Sequence, residues 1–97
     1  MTVVLRLVGP DGTDEREFTT EDADRVCRPT SIELLRAVAR EEPASIREAA
    51  RLVDRDVRQV HDNLWKLGKL DLVTFDRSGQ AHRPVVDYDR IELEIEV

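Results

Sequence analysis

The stretch SIREAARLVDRDVRQVHDNLWKL, positions 45–67, decides the fold that the rest of the chain must complete. Its apolar residues recur at helical spacing in two blocks, separated by Asp54 and Arg55. The first block, which predicts a helix of about two turns, contains Ile46, Ala49, Ala50 and Val53. The second block, spaced 3, 4 and 3 residues apart on one longer helix, contains Val57, Val60, Leu64 and Leu67. The stretch therefore predicts two short helices joined by a tight turn.

Capping residues mark where these helices begin. Ser45 and Glu48 have the spacing of a capping box, and Asp56 is a good N-cap for the longer helix. Upstream, Thr30 and Glu33 have the same spacing, which predicts a further helix that Pro43 stops. The apolar stripe of that helix is Ile32, Leu35, Val38 and Ala39. Residues 30–69 thus predict a three-helix core whose last two helices, within 45–69, form a helix-turn-helix.

Strand patterns lie on both sides of these helices. Residues 1–20 alternate apolar and polar side chains around a Gly-Pro-Asp-Gly turn, which predicts an N-terminal hairpin. Residues 70–86 predict a second hairpin in the position of a wing. Residues 91–97 alternate strictly with glutamate, which predicts a strand with one buried and one acidic face. We therefore expect an α+β fold: one winged helix-turn-helix domain over residues 1–97, with an additional N-terminal hairpin and C-terminal strand.

Length and composition set limits on the class of protein. The 97 residues are enough for one core. No apolar run approaches the roughly 20 residues that span a bilayer, and the start of the chain lacks a signal-peptide pattern. Cys27 is the only cysteine, which suits a reducing compartment. We expect a cytoplasmic protein in which Cys27 is a small, partly buried apolar residue.

Several runs resemble a known family. The runs 45–53 and 56–61, with Leu64, Leu67, Leu72 and Val73 after them, resemble the winged helix-turn-helix of archaeal regulators. Residues 28–88 are similar to MarR-like and ArsR-like DNA-binding domains, and more closely to small transcriptional regulators of haloarchaea. The resemblance implies a homodimer on duplex DNA, with the third helix in the major groove and the wing at the minor groove or backbone. Such domains often carry glycine where this chain has Asp71, a residue type that tolerates the left-handed conformation.

The charge composition agrees with a salt-adapted source. The net charge is −6, and only Lys66 and Lys69 among the 15 basic residues are lysine. This composition resembles that of halophilic archaeal proteins, in which an acidic total does not exclude DNA binding. Residues 45–83 contain eight basic and six acidic residues, so positive charge is concentrated where the motif predicts DNA.

The candidate DNA-binding residues lie on the third helix and the wing. The side chains expected to face outward from the helix are Arg58, Gln59, Asp62, Asn63 and Lys66. Arginine pairs with guanine and glutamine with adenine, whereas lysines such as Lys66 and Lys69 suit phosphate. Arg55, at the helix entrance, is a further phosphate candidate. The wing candidates for the minor groove are Arg77, Gln80, His82 and Arg83.

Each of these assignments has a plainer alternative. The helix face is otherwise an ordinary solvated surface, and the wing an exposed polar hairpin. Asp62 repels phosphate unless it accepts from cytosine or orients Arg58. We expect His61 to pack at the edge of the core, and Trp65 to pack against the first helix or the wing.

No catalytic or metal-binding motif is present in the sequence, so we expect neither an enzyme nor a cofactor. The glutamates at 92, 94 and 96 are more typical of a solvated acidic face than of a cation site. The rival to DNA binding is a protein-interaction module, or an antitoxin-like repressor. In that case strands 3–8 and 91–97 would support β-augmentation or a dimer.

Overall fold

A computed structural model describes residues 2–97 as a small α+β protein with four helices and antiparallel sheets. The elements in chain order are β1 (Thr2–Gly9), β2 (Gly12–Thr19), α1 (Thr20–Cys27), α2 (Pro29–Glu41), α3 (Ile46–Leu52), α4 (Val57–Lys69), β3 (Thr74–Asp76), β4 (Arg83–Val85) and β5 (Arg90–Glu94). The chain forms two compact units. The described part of Met1–Arg28 with Asp87–Val97 is the sheet unit, and Pro29–Val86 is the helical unit. The single domain over 1–97 stays a prediction.

The sheet unit contains the predicted N-terminal hairpin, which is confirmed. β1 lies in the middle of a three-stranded antiparallel sheet in the order β2-β1-β5. Val3, Leu5 and Leu7 are buried on one face, as period-2 alternation requires. Helix α1 contacts β1 and β2, and the Thr19 hydroxyl caps it by accepting from the Asp22 amide at 3.1 Å.

The C-terminal strand differs from the prediction. β5 covers only Arg90–Glu94, and its expected buried face is largely in solvent. Leu93 is 39% exposed and Ile95 59% exposed. These side chains are exposed because β5 is an edge strand, which has a neighbouring strand on one side only.

The helical unit buries α2, α3 and α4 against one another and against the β3–β4 hairpin. The predicted inward residues of α3 and α4 are confirmed except that Ile46 and Val57 are only half-buried. The predicted stripe of α2 is confirmed at Leu35 and Val38 but is wrong at Ala39, which is exposed. Ile32 is only half-buried, while Leu34 is fully buried. The buried face of α2 is therefore shifted by about one residue from the predicted stripe.

The predicted helix starts are confirmed for α3 and α4. The Ser45 hydroxyl accepts from the Glu48 amide at 3.1 Å. The Glu48 carboxylate, however, accepts from the backbone amide of Ala44 and not from that of Ser45. Asp56 accepts from the amides of the second and third residues of its helix, at 3.1 and 3.4 Å. The prediction for Thr30 is wrong, because α2 already begins at Pro29. Proline suits the first helical position, since its missing N–H needs no partner there.

Two left-handed residues set the turns around α4. Asp54, with φ 53°, turns the chain between α3 and α4. Asp71, with φ 60°, follows α4 in the left-handed conformation that this residue type is expected to tolerate. Gly68, one turn earlier, lets the hairpin approach: a Cβ there would lie 3.0 Å from the Phe75 ring. Together these residues place the β3–β4 hairpin beside α4.

Two further observations concern residues 2–97. None of the helices there combines the length and hydropathy that crossing a bilayer requires. Cys27, at the end of α1, is exposed, which corrects the expectation of a partly buried thiol.

Candidate nucleic-acid interface

The outer face of α4 presents a row of polar side chains. Arg58, Gln59, Asp62 and Lys66 are exposed, as the spacing predicts, because Val60, Leu64 and Leu67 occupy the opposite face. Lys69, the last residue of the helix, is also exposed. A cationic and amide-bearing face of this kind can donate hydrogen bonds to base edges and to phosphates.

Asn63 does not belong to this outer face, and its predicted outward orientation is wrong. It is half-buried, and both ends of its amide are engaged. Its Nδ2 donates to the Ser31 hydroxyl at 3.2 Å, and its Oδ1 accepts from Arg55 Nη1, also at 3.2 Å. Ser31 is 1% exposed, so Asn63 satisfies a hydroxyl that water cannot reach. Asn63 therefore fastens α4 to α2.

Arg55 extends the same network. Besides Asn63, its guanidinium donates to the carbonyl oxygen of Thr30 at 3.4 Å, and its own backbone amide donates to the carbonyl of Ala50. The side chain is half-buried at the entrance of α4. Its donors thus hold the start of α2 and the middle of α4 together, and the phosphate contact first expected of Arg55 competes with these bonds.

A chain of aromatic contacts connects α4 to the hairpin. His61 is exposed, which corrects the expectation that it packs at the edge of the core. Its Nε2 accepts from the Trp65 indole N–H at 2.8 Å, and its Nδ1 lies 3.7 Å from Asp62 Oδ1. Trp65 in turn packs on Phe75 of β3, with ring centroids 5.1 Å apart. The predicted packing of Trp65 against the hairpin is confirmed.

The hairpin carries the remaining candidates. Arg77, Gln80 and His82 are exposed around its turn. Arg83 instead donates to Asp76 Oδ2 at 3.1 Å, across the β3–β4 pair. The hydrogen bonds that Asp76 accepts lower its pKa to about 2. The largest contributions come from the side chain and the amide of Ser78, and a smaller one comes from Arg83. Arg83 thus braces the hairpin while the other three side chains point to solvent.

A groove of about 620 Å³ lies between the starts of α3 and α4 and the hairpin. It is lined by Ser45, Ile46, Arg47, Val57, Arg58, His61, Asp62, Ala81 and His82. The groove brings both histidines of the chain beside two arginines, although positions 61 and 82 are far apart in sequence. The groove joins the outer face of α4 to the hairpin in one continuous surface.

Arg47 is the functional candidate that sequence reasoning missed. It is exposed on α3, two residues after the Ser45 cap, and lines the same groove as Arg58. The apolar face predicted for α3 already left Arg47 on the outside, which is the signal that pointed to it. What was missing was the position of the hairpin, which makes that side of α3 a wall of the groove.

Four basic side chains of this surface form no ion pair with a carboxylate of the described residues. Within residues 2–97, no ion pair involves Arg47, Arg58, Lys66 or Arg77. No group of three or more metal-ligating side chains occurs among the described residues. The surface is therefore suited to an anionic partner that supplies its own negative charge.

Comparison with known proteins gives one match. No curated protein and no solved structure matches the chain. The sequence profile of the family described as HVO_A0114 matches residues 26–93. That range holds the whole helical unit, with part of the sheet unit on either side, and makes up more than two thirds of the chain. The chain therefore belongs to the HVO_A0114 family.

Proposed function

We propose that the helical unit is a winged helix-turn-helix that binds duplex DNA, and that the chain acts as a dimeric transcriptional regulator in the cytoplasm of a salt-adapted archaeon. The observation that carries the proposal is the surface just described. It combines the exposed face of α4, the groove and the hairpin turn, and its cations, apart from Arg83, have no carboxylate partners among residues 2–97.

The arrangement matches the demands of the major groove. The major groove of B-DNA is about 12 Å wide and admits one α-helix. Arg58 and Gln59 lie in the first turn of α4, where a recognition helix contacts base edges. In this proposal Arg58 reads guanine and Gln59 reads adenine, while Lys66 and Lys69 bind phosphates farther along the helix.

The hairpin supplies the second contact. Arg77, Gln80 and His82 surround an exposed turn and take the minor groove or its backbone in this proposal. Arg47, which lines the same groove as Arg58, binds a phosphate. Asp62 lies close to His61 instead of forming an ion pair with Arg58, so it serves as a selective acceptor for cytosine or excludes other bases.

Three of the residues that the sequence predicts to bind DNA have a different role in this proposal. Arg55, Asn63 and Arg83 position the reading elements through hydrogen bonds inside the unit. The energetic benefit is preorganisation, because a helix already fixed against its neighbours loses less freedom on binding.

The test is fluorescence anisotropy of labelled duplex DNA, including the region upstream of the protein's own coding sequence, titrated at several KCl concentrations. We expect the logarithm of the binding constant to fall linearly with the logarithm of the salt concentration, with a slope that counts phosphate contacts. Arg58→Ala weakens binding by about 1–3 kcal/mol if its contact is bidentate, and relaxes the preference at one base pair.

Arg36→Ala is the matched control, since Arg36 is an exposed arginine of the same unit but lies on α2. We expect its DNA affinity to equal that of the unchanged protein. Equal losses for both variants would mean that only net charge matters, without base reading by α4. If no duplex binds at the lowest salt that preserves the fold, the helical unit is a protein-docking module instead.

A further inference from the structure

We propose that the free edge of β5 is the interface through which a second copy of this chain binds, so that two three-stranded sheets join into one of six strands. This inference names the dimer interface within the proposed function. Its test uses no DNA, so its failure is distinguishable from a failure of DNA binding.

The first observation is an apolar surface that the fold leaves open. In the β1–β5 register, Leu93 lies opposite Leu5 and Ile91 opposite Leu7, so all four share one face of the sheet. Leu5 and Leu7 are buried, whereas Leu93 and Ile95 are substantially exposed. The apolar face thus continues past the last strand, at an edge where backbone groups are available for pairing.

The second observation is that β5 complements its own copy in charge. An antiparallel pair centred on Glu92 places Arg90 opposite Glu94 of the second copy, twice by symmetry. The same register places Ile91 opposite Leu93 of the second copy, which closes the apolar face. One pair of like charges remains, Glu92 with its own equivalent. Arg90 lies 3.0 Å from Glu92 within each copy and offsets that repulsion.

The acids of β5 lie on the opposite, polar face of the sheet and are partly neutralised there. Arg6 donates to Glu94 at 2.7 Å and to Glu15 at 3.1 Å. Around the proposed axis, the Arg6 and Arg90 side chains of both copies therefore balance four glutamates, those at 92 and 94. The interface is close to neutral although the unit as a whole is strongly acidic.

The opposite edge of the sheet lacks these features. In β2, Phe18 is the one large apolar residue, and it is already buried. The exposed part of β2 carries three acids against Arg16, which is held by Asp14 at 2.6 Å. Two copies of β2 would bring mainly like charges together, which disfavours pairing. The symmetry of charge and apolar surface is thus specific to β5.

The experiment exchanges the charges of the predicted pair. Sedimentation equilibrium is measured at the lowest KCl concentration at which circular dichroism shows the native fold, because salt screens such pairs. We expect the unchanged protein to have twice the mass of one chain. Arg90→Glu alone and Glu94→Arg alone each convert two attractive pairs into repulsive ones, and each raises the dimer dissociation constant about tenfold or more.

Mixing the two variants gives the decisive result. In the mixed dimer, glutamate at position 90 of one copy faces arginine at position 94 of the other, and the second pair is attractive as well. We expect heterodimers to form at concentrations where each variant alone is monomeric. Arg28→Glu makes the same charge change outside β5, at a side chain that is also exposed. Its mixture with Glu94→Arg is the control: that mixed dimer keeps one repulsive pair, so we expect it to form more weakly than the mixed dimer of Arg90→Glu and Glu94→Arg.

A second variant tests the apolar half of the interface. Leu93→Asp places a charge against Ile91 of the second copy and yields a monomer with an unchanged circular dichroism spectrum. Leu52→Asp changes an exposed leucine of α3 and leaves the dimer intact. A monomeric unchanged protein overturns the proposal, as does a dimer that neither Leu93→Asp nor the charge exchange affects.

Discussion

The two units of this chain treat their arginines differently. The sheet unit contains five basic and twelve acidic residues, and the helical unit contains ten basic and nine acidic residues. In the sheet unit, four of the five arginines form ion pairs with nearby carboxylates: Arg6, Arg16, Arg28 and Arg90. In the helical unit, Arg83 is the only arginine or lysine among the described residues that does so.

The difference teaches how an acidic protein can leave the cations of one surface unpaired. Net charge describes the whole chain, but an arginine already bound by a carboxylate has little field left to offer a partner. Where the arginines lie on helices whose neighbouring acids serve as caps or turn residues, as Asp54 and Asp56 do, the cations remain available. If this division separates folding from binding, substitutions inside the units change stability, and substitutions on the outer face of α4 do not.

The largest expected effect concerns the core of the helical unit. Leu64→Ala removes a fully buried side chain of α4 and lowers the free energy of unfolding by about 2–5 kcal/mol. Urea unfolding followed by the fluorescence of Trp65, the only tryptophan, measures it. Leu52→Ala is the matched control, since Leu52 is 44% exposed on α3 and its loss changes little. Equal effects of the two changes would contradict the buried face assigned to α4.

The second prediction separates positioning from reading on the same helix. Asn63→Ala leaves the buried Ser31 hydroxyl and the Arg55 guanidinium without their shared partner, and costs about 1–3 kcal/mol of stability. Gln59→Ala, on the exposed face, changes stability by less than about 0.5 kcal/mol. Urea unfolding measures this difference in stability. In fluorescence anisotropy we expect the opposite ranking, because Gln59→Ala changes which DNA sequence the protein prefers. A stability loss confined to Gln59→Ala would reverse the two assignments.

The third prediction compares one cap in each unit. Ser45→Ala in the helical unit and Thr19→Ala in the sheet unit each remove an acceptor for a helix amide, and each lowers stability by about 1 kcal/mol. Thermal unfolding measures both, and restoring the acceptor with Ser45→Asp or Thr19→Ser recovers most of the loss. Caps that can be removed without effect would show that tertiary contacts alone hold these helices.

The smallest expected effect concerns acid and the hairpin turn. The hydrogen bonds from Ser78, followed by the Arg83 side chain, lower the pKa of Asp76 from its ordinary 3.8 to about 2. A lowered pKa in the folded state means that the stabilisation is complete above pH 3.8 and is lost as the pH falls through about 2. The amide chemical shift of Ser78, followed by NMR, reports this change. A shift that titrates with a midpoint near 3.8 would mean that the turn does not hold Asp76.

Local signals in the sequence predicted most of the helical unit. The caps Ser45 and Asp56 and the left-handed Asp71 are predictable from the sequence because a cap or a left-handed turn depends on a few neighbouring backbone groups. The buried residues of α4 followed from spacing alone. The α2 helix shows the limit: its stripe includes both Leu34 and Leu35 in the structure, and choosing between Leu34 and Ala39 requires knowing where α3 and α4 lie.

For the candidate site, the sequence could predict only which residues lie on the exposed face of α4. Spacing placed Arg58, Gln59, Asp62 and Lys66 outside, and the structure agrees. It also placed Asn63 outside, because nothing in the local sequence shows that Ser31 on another helix offers a buried hydroxyl 32 positions away. The role of Arg47 was missed for the same reason, since the groove exists only once the hairpin is beside α3.

The sequence by itself determined most of the elements of this protein, the caps of α3 and α4, and the concentration of cations in residues 45–83. These properties depend on residues within a turn or two of each other, where hydrogen-bond geometry and periodicity decide the outcome. The tertiary structure alone decided which polar residues became internal fasteners, which side of α3 became a wall of the groove, and that β5 would be an edge. Those outcomes depend on contacts between residues far apart in the chain, whose positions no local pattern records.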